Sequence, residues 1–448
     1  MAIKQLKTLN LGITGLSRAG KTVFTTSLIH NLCCAASYPD RMPLLKAASE
    51  RRLLGVTVDP PVLEKVPIFP RYDNYEAMSS SPPKWPESTE GISEITIRIR
   101  FSATTKAWLW GSDTPTEYEL PIRLIDYPGE WLIDLPLINL DFAEWSDRTI
   151  SAAKNGERAR FSTEWLSYLE TLVPEAPPAV GETKRAHVLY CDYLKCCREQ
   201  LHLNYLQPGR FVNAGDTINA PFMWFCPLPT PSNPIHAGTG TLYGLMRARY
   251  DTYREIYAKD FLTKNFSTIN RQIILVDILG ALSAGKESFD DMTSAIRDIC
   301  EIFRYDWFSS LFSTSIDKVL VAATKSDHVN GIQIDHLTNL LQCVVDDMPD
   351  GAKSKTATMA VSSVVCTREE VRDGVVMVVG RIIGDQNNSA VIIPHITTVP
   401  PTDEYWKKYK FSFPRFEPQI LQSYDIEGIR HINLDKALEY LIGDKLGS

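Results

Sequence analysis

Gly15-Leu16-Ser17-Arg18-Ala19-Gly20-Lys21-Thr22 spells G-x-x-x-x-G-K-[ST] near the start of a 448-residue chain. Glycine at both ends admits backbone conformations closed to residues with a Cβ, so successive N–H groups can turn inward on a phosphate. Lys21 supplies a mobile point charge for β- and γ-phosphates, and Thr22 a hydroxyl ligand for Mg²⁺. The flanks are those such a loop needs. Leu9, Leu11 and Ile13 alternate with Asn10, Gly12 and Thr14, the pattern of a strand entering the loop. From Thr22 to Ala36, Phe24, Leu28 and Leu32 recur at helical spacing, which aims a helix N-terminus at the phosphates. A turn that spelled the motif by accident would not come with strand, loop and helix in this order. The phosphate-binding candidates are Ser17, Arg18, Ala19, Gly20, Lys21, Thr22 and Val23.

The rest of the composition narrows the class. A length of 448 residues at 44% hydrophobic content provides for two to three domains with real cores. The net charge of −7 leaves no basic excess to neutralise nucleic-acid phosphates, so nucleic acid is not an expected partner. The nine cysteines include no C-x-x-C pair, which reads as a reduced, cytoplasmic protein. Cys191 and Cys196-Cys197 read as one apolar helix face rather than a redox or metal group. No run approaches the ~18 apolar residues of a membrane span, and no apolar segment precedes Gly15 as in a signal peptide.

Beyond the first helix, residues 37–90 are rich in proline and predict an extended excursion with a short helix at Leu44–Leu54. Ile95, Ile97, Ile99 and Phe101 alternate with polar residues, and Leu120, Ile122 and Leu124 answer them, so two strands form an antiparallel hairpin. The second strand runs into Asp126-Tyr127-Pro128-Gly129-Glu130. An acid there can hold Mg²⁺, and Gly129 lets a backbone N–H approach a γ-phosphate. A second D-x-x-G occurs at Asp277-Ile278-Leu279-Gly280. Asp126 is preferred for the metal because it follows the hairpin directly, whereas the Asp277 strand reads as plain core.

From Trp131 to about Asn270, helical periodicity and clustered aromatics (Trp145, Trp165, Tyr168, Tyr190, Tyr193) predict an all-helical insertion domain. Its aromatics form a core or, as the sharper alternative, line a groove for a protein effector. Alternation then resumes with strands at Arg271–Leu279, Lys318–Ala323 and Thr358–Val361 and helices at Ser288–Phe303 and Gln333–Val345. The fold class is therefore α/β, a P-loop NTPase of the G-domain kind with a mostly parallel sheet and helices on both faces. The division expected is residues 1–130 and 271–367 for the nucleotide domain, 131–270 for the helical insertion, and 368–448 for a small α+β extension packed on the first.

Thr324-Lys325-Ser326-Asp327 bears on the base. A carboxylate at a strand end can accept from both N1–H and the exocyclic amine of guanine, whereas adenine offers no such donor pair on that edge. Lys325 can lay its stem over the ring. A helix-capping aspartate in a turn is the plain alternative, and the order of the three motifs along the chain favours guanine.

Together these elements resemble the GTPase superfamily, with Ser362-Ser363-Val364 similar to its final base-contacting loop. That resemblance implies guanine contacts from Thr324, Lys325, Asp327, Ser363 and Val364. Most members carry asparagine where this chain has Thr324. A closer resemblance runs nearly end to end. Arg51-Arg52-Leu53-Leu54-Gly55-Val56, Pro82-Pro83-Lys84-Trp85-Pro86-Glu87-Ser88-Thr89, Asp126 to Trp131 and the long helical stretch look like the YcjX family of bacterial stress-associated P-loop proteins. It implies a cytoplasmic protein that binds GTP and GDP and leaves the protein effector undefined.

The expected reaction is slow GTP hydrolysis with Mg²⁺ as cofactor, held by Thr22, Asp126 and, as the switch residue, Thr57, whose plain alternative is an ordinary strand threonine. Lys21 stabilises the transferring phosphoryl group; Glu130 is a candidate to orient water, although its charge also repels the γ-phosphate, and a surface or structural role is the alternative. Arg51 and Arg52 are read as a solvated helix face, with an arginine finger as the alternative. A nucleotide-gated scaffold with negligible turnover and an ATP-using NTPase are the competing functions.

Overall fold

The computed structural model describes residues 3–59, 67–87, 91–105, 114–212, 220–231, 238, 240–259, 268–304, 316–346, 355–385, 387–419 and 427–447. The chain divides into two compact units. One comprises Met1–Pro128, Thr268–Ser283 and Ser313–Ser448, the other Gly129–Ser267 and Ala284–Phe312.

The first unit is built on an eight-stranded sheet of β1 (Lys4–Gln5), β2 (Leu9–Gly15), β3 (Leu53–Val58), β4 (Ser93–Thr105), β5 (Thr114–Asp126), β6 (Arg271–Val276), β7 (Lys318–Ala323) and β8 (Thr356–Ala360). The order is β3-β4-β5-β2-β6-β7-β8, with β1 beside β5. From β5 to β8 all neighbours are parallel. β6 is buried along its whole length, as its near-continuous apolar run requires of a strand covered on both faces. β4 and β5 form the expected hairpin, pairing Ile95 with Leu124, Ile97 with Ile122 and Ile99 with Leu120. These side chains bury against Phe24, Leu28 and Leu32 of helix Lys21–Ala35. Each such burial stabilises by about 1.5–3 kcal/mol.

The structure revises one stretch. The helix expected at Leu44–Leu54 is confined to Lys46–Ser49, and Leu53–Val58 is a strand antiparallel to β4. Val56, Thr57 and Val58 are β-branched and fit a pleated surface better than a helix.

The C-terminal region belongs to the first unit. It carries a second sheet of β9 (Arg368–Arg372), β10 (Val375–Arg381) and β11 (Asn388–Val391), in the order β11-β10-β9. Asp373 and Gly374, both at positive φ, make the tight β9–β10 turn. Helix Leu434–Ile442 inserts Leu434, Ala437, Leu438, Leu441 and Ile442 into the main core. Behind it the buried Arg271 donates to the Leu441 carbonyl at 3.0 Å and pairs with Asp444 at 2.9 Å and with Asp317.

The second unit contains helices Phe142–Ala153, Ala159–Leu169, Val180–Gln200, Leu242–Tyr253 and Lys286–Arg304. Asp141 and Glu144 form a capping box on the first. Trp145, Trp165, Tyr190 and Tyr193 are buried, with Trp145 stacked on Tyr250 at 4.8 Å between centroids, so these aromatics are core. The last helix, which the sequence pattern grouped with the resumed sheet, belongs here. Arg158 ties it to the unit by pairing with Glu287 and, at 2.7 Å, with Asp291.

Candidate functional site

Because β2, β5, β6, β7 and β8 are parallel, their C-terminal ends share one edge of the sheet. Register pairs Ile13 with Asp126, Gly15 with Leu275, Val276 with Ala323 and Ala323 with Ala360. Sequential connection carries the chain to one side of β2 through β5 and to the other through β6, so the loop after β2 lies where the strand order reverses. In open α/β sheets that is where ligands bind.

The loop itself folds as its glycines demand. Gly15 approaches β6 so closely that an added Cβ would lie 2.9 Å from Leu275 Cβ. Leu16 N–H donates to the Leu275 carbonyl at 3.0 Å. Arg18 and Gly20 both take positive φ, 65° and 79°. Gly20 offers no side-chain cap to helix Lys21–Ala35, and no acidic residue stands in its first turn. Such an end leaves its N–H groups and partial positive charge for an anion.

Lys21 reaches across to β5, its Nζ lying 2.6 Å from Asp126 Oδ1. Thr22 is buried in the first turn beside it. The residue after Asp126 is pinned from both sides. Tyr127 N–H donates to the Ile13 carbonyl at 3.2 Å, its own carbonyl accepts from Thr14 Oγ1 at 3.2 Å, and its hydroxyl donates to Gln272 Oε1 at 2.8 Å. Gly12 makes room for that glutamine, since a Cβ there would fall 2.3 Å from Gln272 Oε1. Gly129 opens helix Gly129–Leu132 of the second unit, and the side chain of Glu130 lies outside the described residues.

Thr57 is not brought to Asp126. It is exposed on β3, across from Arg98, which in turn faces Pro121. That is two strands away from β5 and, at about 3.4 Å per residue, some 17 Å along it. Arg51 and Arg52 are not on a helix face. Arg51 sits at φ 53°. Arg52 binds Glu50 and the Leu446 carbonyl.

On the other side, Thr324 N and Oγ1 both donate to the Val276 carbonyl, at 2.9 and 3.2 Å. Lys325 adopts φ 61° and its ammonium pairs with Asp277. Asp277 also accepts from Gly280 N at 2.9 Å. Burial works to raise its pKa, but Lys325 and the Gly280 N–H prevail and hold it below the usual carboxylate value. Asp327 is buried with both oxygens engaged. Oδ1 accepts from Ser362 Oγ at 2.6 Å, and Oδ2 from Cys366 N at 2.9 Å and Cys366 Sγ at 3.0 Å. Burial and the Asp327 charge push the Cys366 thiol well above its usual range, which keeps it a donor.

The Ser363 carbonyl accepts from Ser27 Oγ of the helix that follows the phosphate loop. Val364 lies in an apolar cluster with Met78 and Ile429, against which Val23 packs. Ser362 and Ile432 exchange backbone hydrogen bonds at 2.9 and 2.7 Å. Sequence reasoning missed the Asp277–Lys325 pair, Cys366 and the support from residues near Ile432. The second D-x-x-G was the visible signal for the first; nothing local announces the others.

A sequence profile of the YcjX-like family (DUF463) matches residues 9–446. The chain belongs to the YcjX-like family. Among curated relatives it is 36% identical over 454 residues to the Ras-like GTPase YcjX of Escherichia coli strain K12, covering 98% of this chain and 96% of that protein. It is 32% identical over 470 residues to the protein of the same name from Shewanella oneidensis strain MR-1, covering 98% and 94%. The YcjX-like match spans segments of both units. Among the described residues no helix is long and apolar enough to cross a membrane.

Proposed function

We propose that this chain binds GTP and GDP with Mg²⁺, hydrolyses GTP slowly and acts as a cytoplasmic switch in the stress response. The Lys21–Asp126 contact carries the reading. A buried carboxylate needs a cation, and Lys21 supplies it. When phosphates draw the ammonium away, Asp126 can turn an oxygen to a divalent ion. A carboxylate and the Thr22 hydroxyl are hard oxygen donors that suit Mg²⁺, whose charge would neutralise the β- and γ-phosphate oxygens.

The chain's own groups do the remaining work. Backbone N–H groups from Ser17 to Val23 and the Lys21 ammonium stabilise charge on the transferring phosphoryl group, with a further N–H from Gly129. Glu130 orients water, and the repulsion between its carboxylate and the γ-phosphate keeps turnover low. Asp327 accepts from guanine, with Thr324, Lys325, Ser363 and Val364 framing the base. Both relatives bear the name Ras-like GTPase, which supports the base and the reaction. The helical unit is the surface for a protein effector.

Binding of GTP, GDP and ATP, followed by phosphate release, tests this. Lys21→Ala is expected to lose all binding and Asp327→Ala to lose base preference. ATP competing as well as GTP overturns the base assignment, and tight GTP binding without phosphate release reduces the protein to a scaffold. Turnover unchanged in Glu130→Ala removes that residue from the mechanism.

A further inference from the structure

Asp327, His328 and Cys366 each offer one ligand atom, and these three atoms all lie within 4.8 Å of one another. All three residues are buried. Two of the separations are explicit: Cys366 Sγ is 3.0 Å from Asp327 Oδ2 and 3.7 Å from His328 Nε2. In a tetrahedral zinc shell, with Zn–S about 2.3 Å and Zn–N or Zn–O about 2.0–2.2 Å, ligand atoms stand about 3.3–3.6 Å apart. The observed distances bracket that spacing. The imidazole is held edge-on by Phe416, with ring centroids 5.0 Å apart. Thiolate, imidazole and carboxylate form a borderline-soft donor set that selects zinc-like ions over magnesium.

We propose that Asp327, His328 and Cys366 form a site for a zinc-class divalent cation whose occupancy competes with guanine nucleotide. The inference rests on the reading of Asp327 as the guanine acceptor. Without metal, the carboxylate is held by Ser362 Oγ, Cys366 N–H and the Cys366 thiol. With metal, the thiol proton goes to solvent, the thiolate and Nε2 bind the ion, and Asp327 commits an oxygen to it. That oxygen is then lost to the base, so each ligand lowers the other's affinity by the same factor. Three protein ligands leave a fourth position open to water.

The test uses the full chain, stripped with chelator and then titrated with Zn²⁺ or Co²⁺ against a chromophoric competitor. Expected are one tightly held ion per chain and a thiolate-to-cobalt charge-transfer band, both lost in Cys366→Ser and weakened at least tenfold in His328→Gln. Zn²⁺ is further expected to weaken GDP binding by about tenfold in the parent chain and by less than about twofold in either variant. Thermal melts of the stripped variants report that they fold. Metal binding unchanged by both substitutions overturns the proposal, because the ion then sits on other cysteines. So does a cobalt spectrum without the thiolate band, or a GDP affinity indifferent to a bound ion. A stripped parent chain that holds zinc as expected yet binds no GDP counts against the guanine reading of Asp327, not against the metal site.

Discussion

The Lys21 ammonium lies 2.6 Å from the Asp126 carboxylate, with the two side chains 13% and 1% exposed. Deleting the lysine alone takes the ammonium from a buried carboxylate, a loss of the kind that costs about 3–5 kcal/mol, whereas removing both partners is far cheaper. Lys21→Ala should therefore abolish nucleotide binding and also destabilise the nucleotide-free chain. The double variant Lys21→Ala with Asp126→Ala should regain most of that stability while still failing to bind. Denaturant unfolding of the two, beside a GDP titration, checks it.

Asp327 is held by donors of unequal adaptability. The Ser362 hydroxyl can rotate to accept, but the Cys366 N–H can only donate. Asp327→Asn should therefore keep its oxygen on Cys366 and turn its amide nitrogen toward Ser362. The side chain then offers the base one donor and one acceptor, which fits the N1–H and 2-oxo group of xanthine. Preference for GDP over XDP should invert, with a loss of GDP affinity of about 10²-fold or more. Competition binding of the two nucleotides would show it, and unchanged preference would remove Asp327 from the base site.

The close approach of Gly12 to Gln272 leaves no room for a methyl group. Gly12→Ala would set a Cβ 2.3 Å from Gln272 Oε1 and 2.8 Å from Ile269 Cδ1. Overpacking of this kind costs about 1–3 kcal/mol. Moving Gln272 also releases the Tyr127 hydroxyl, so loss of GDP affinity should accompany loss of stability. Gly12→Ala combined with Gln272→Ala should restore stability more than affinity, measured by melting and GDP titration.

In the second unit, Asp134 is buried and accepts from Tyr253 Oη at 2.5 Å and Gly209 N at 2.7 Å. Burial outweighs these bonds and raises its pKa from 3.8 to about 6. The folded chain thus holds a proton that the unfolded chain has already lost between about pH 4 and 6, so stability falls as pH rises through this window and levels off above it. Asp134→Asn stays neutral throughout. Relative to it, the parent chain should lose about 3 kcal/mol across that range. Denaturant midpoints at several pH values test the sign, and a parent that gains on the variant with rising pH refutes it.

Much of the candidate edge was legible because it is local. The phosphate loop, the strand before it and the helix after it lie within 27 residues from Leu9 to Ala35. Lys318–Ala323 and Leu434–Ile442 are elements whose period alone locates them. The partners of Asp327 were not legible in the same way. Cys366 is 39 residues distant and carries no motif. Lys325 was read as a cover for the base because nothing in T-K-x-D reveals that Asp277, 48 residues earlier, lies within reach of its ammonium. Thr57 was ambiguous for the opposite reason: a threonine in a β-branched run satisfies a loop motif and a strand equally well, and the pairing with β4 shows the strand.

Arg271 sets a timetable for synthesis. Its guanidinium is buried under acceptors at Leu441, 170 residues later, and Asp444. At about 5–20 residues per second a ribosome needs some 10–30 s to deliver them. Until then β6, the strand beside the candidate loop, has at its start a cation with only one of its two acids, Asp317, which follows 46 residues on. The loop after β8 likewise awaits Ile432. The nascent chain can form the loop of residues 15–22 early, yet the finished candidate site is one of the last things translation completes.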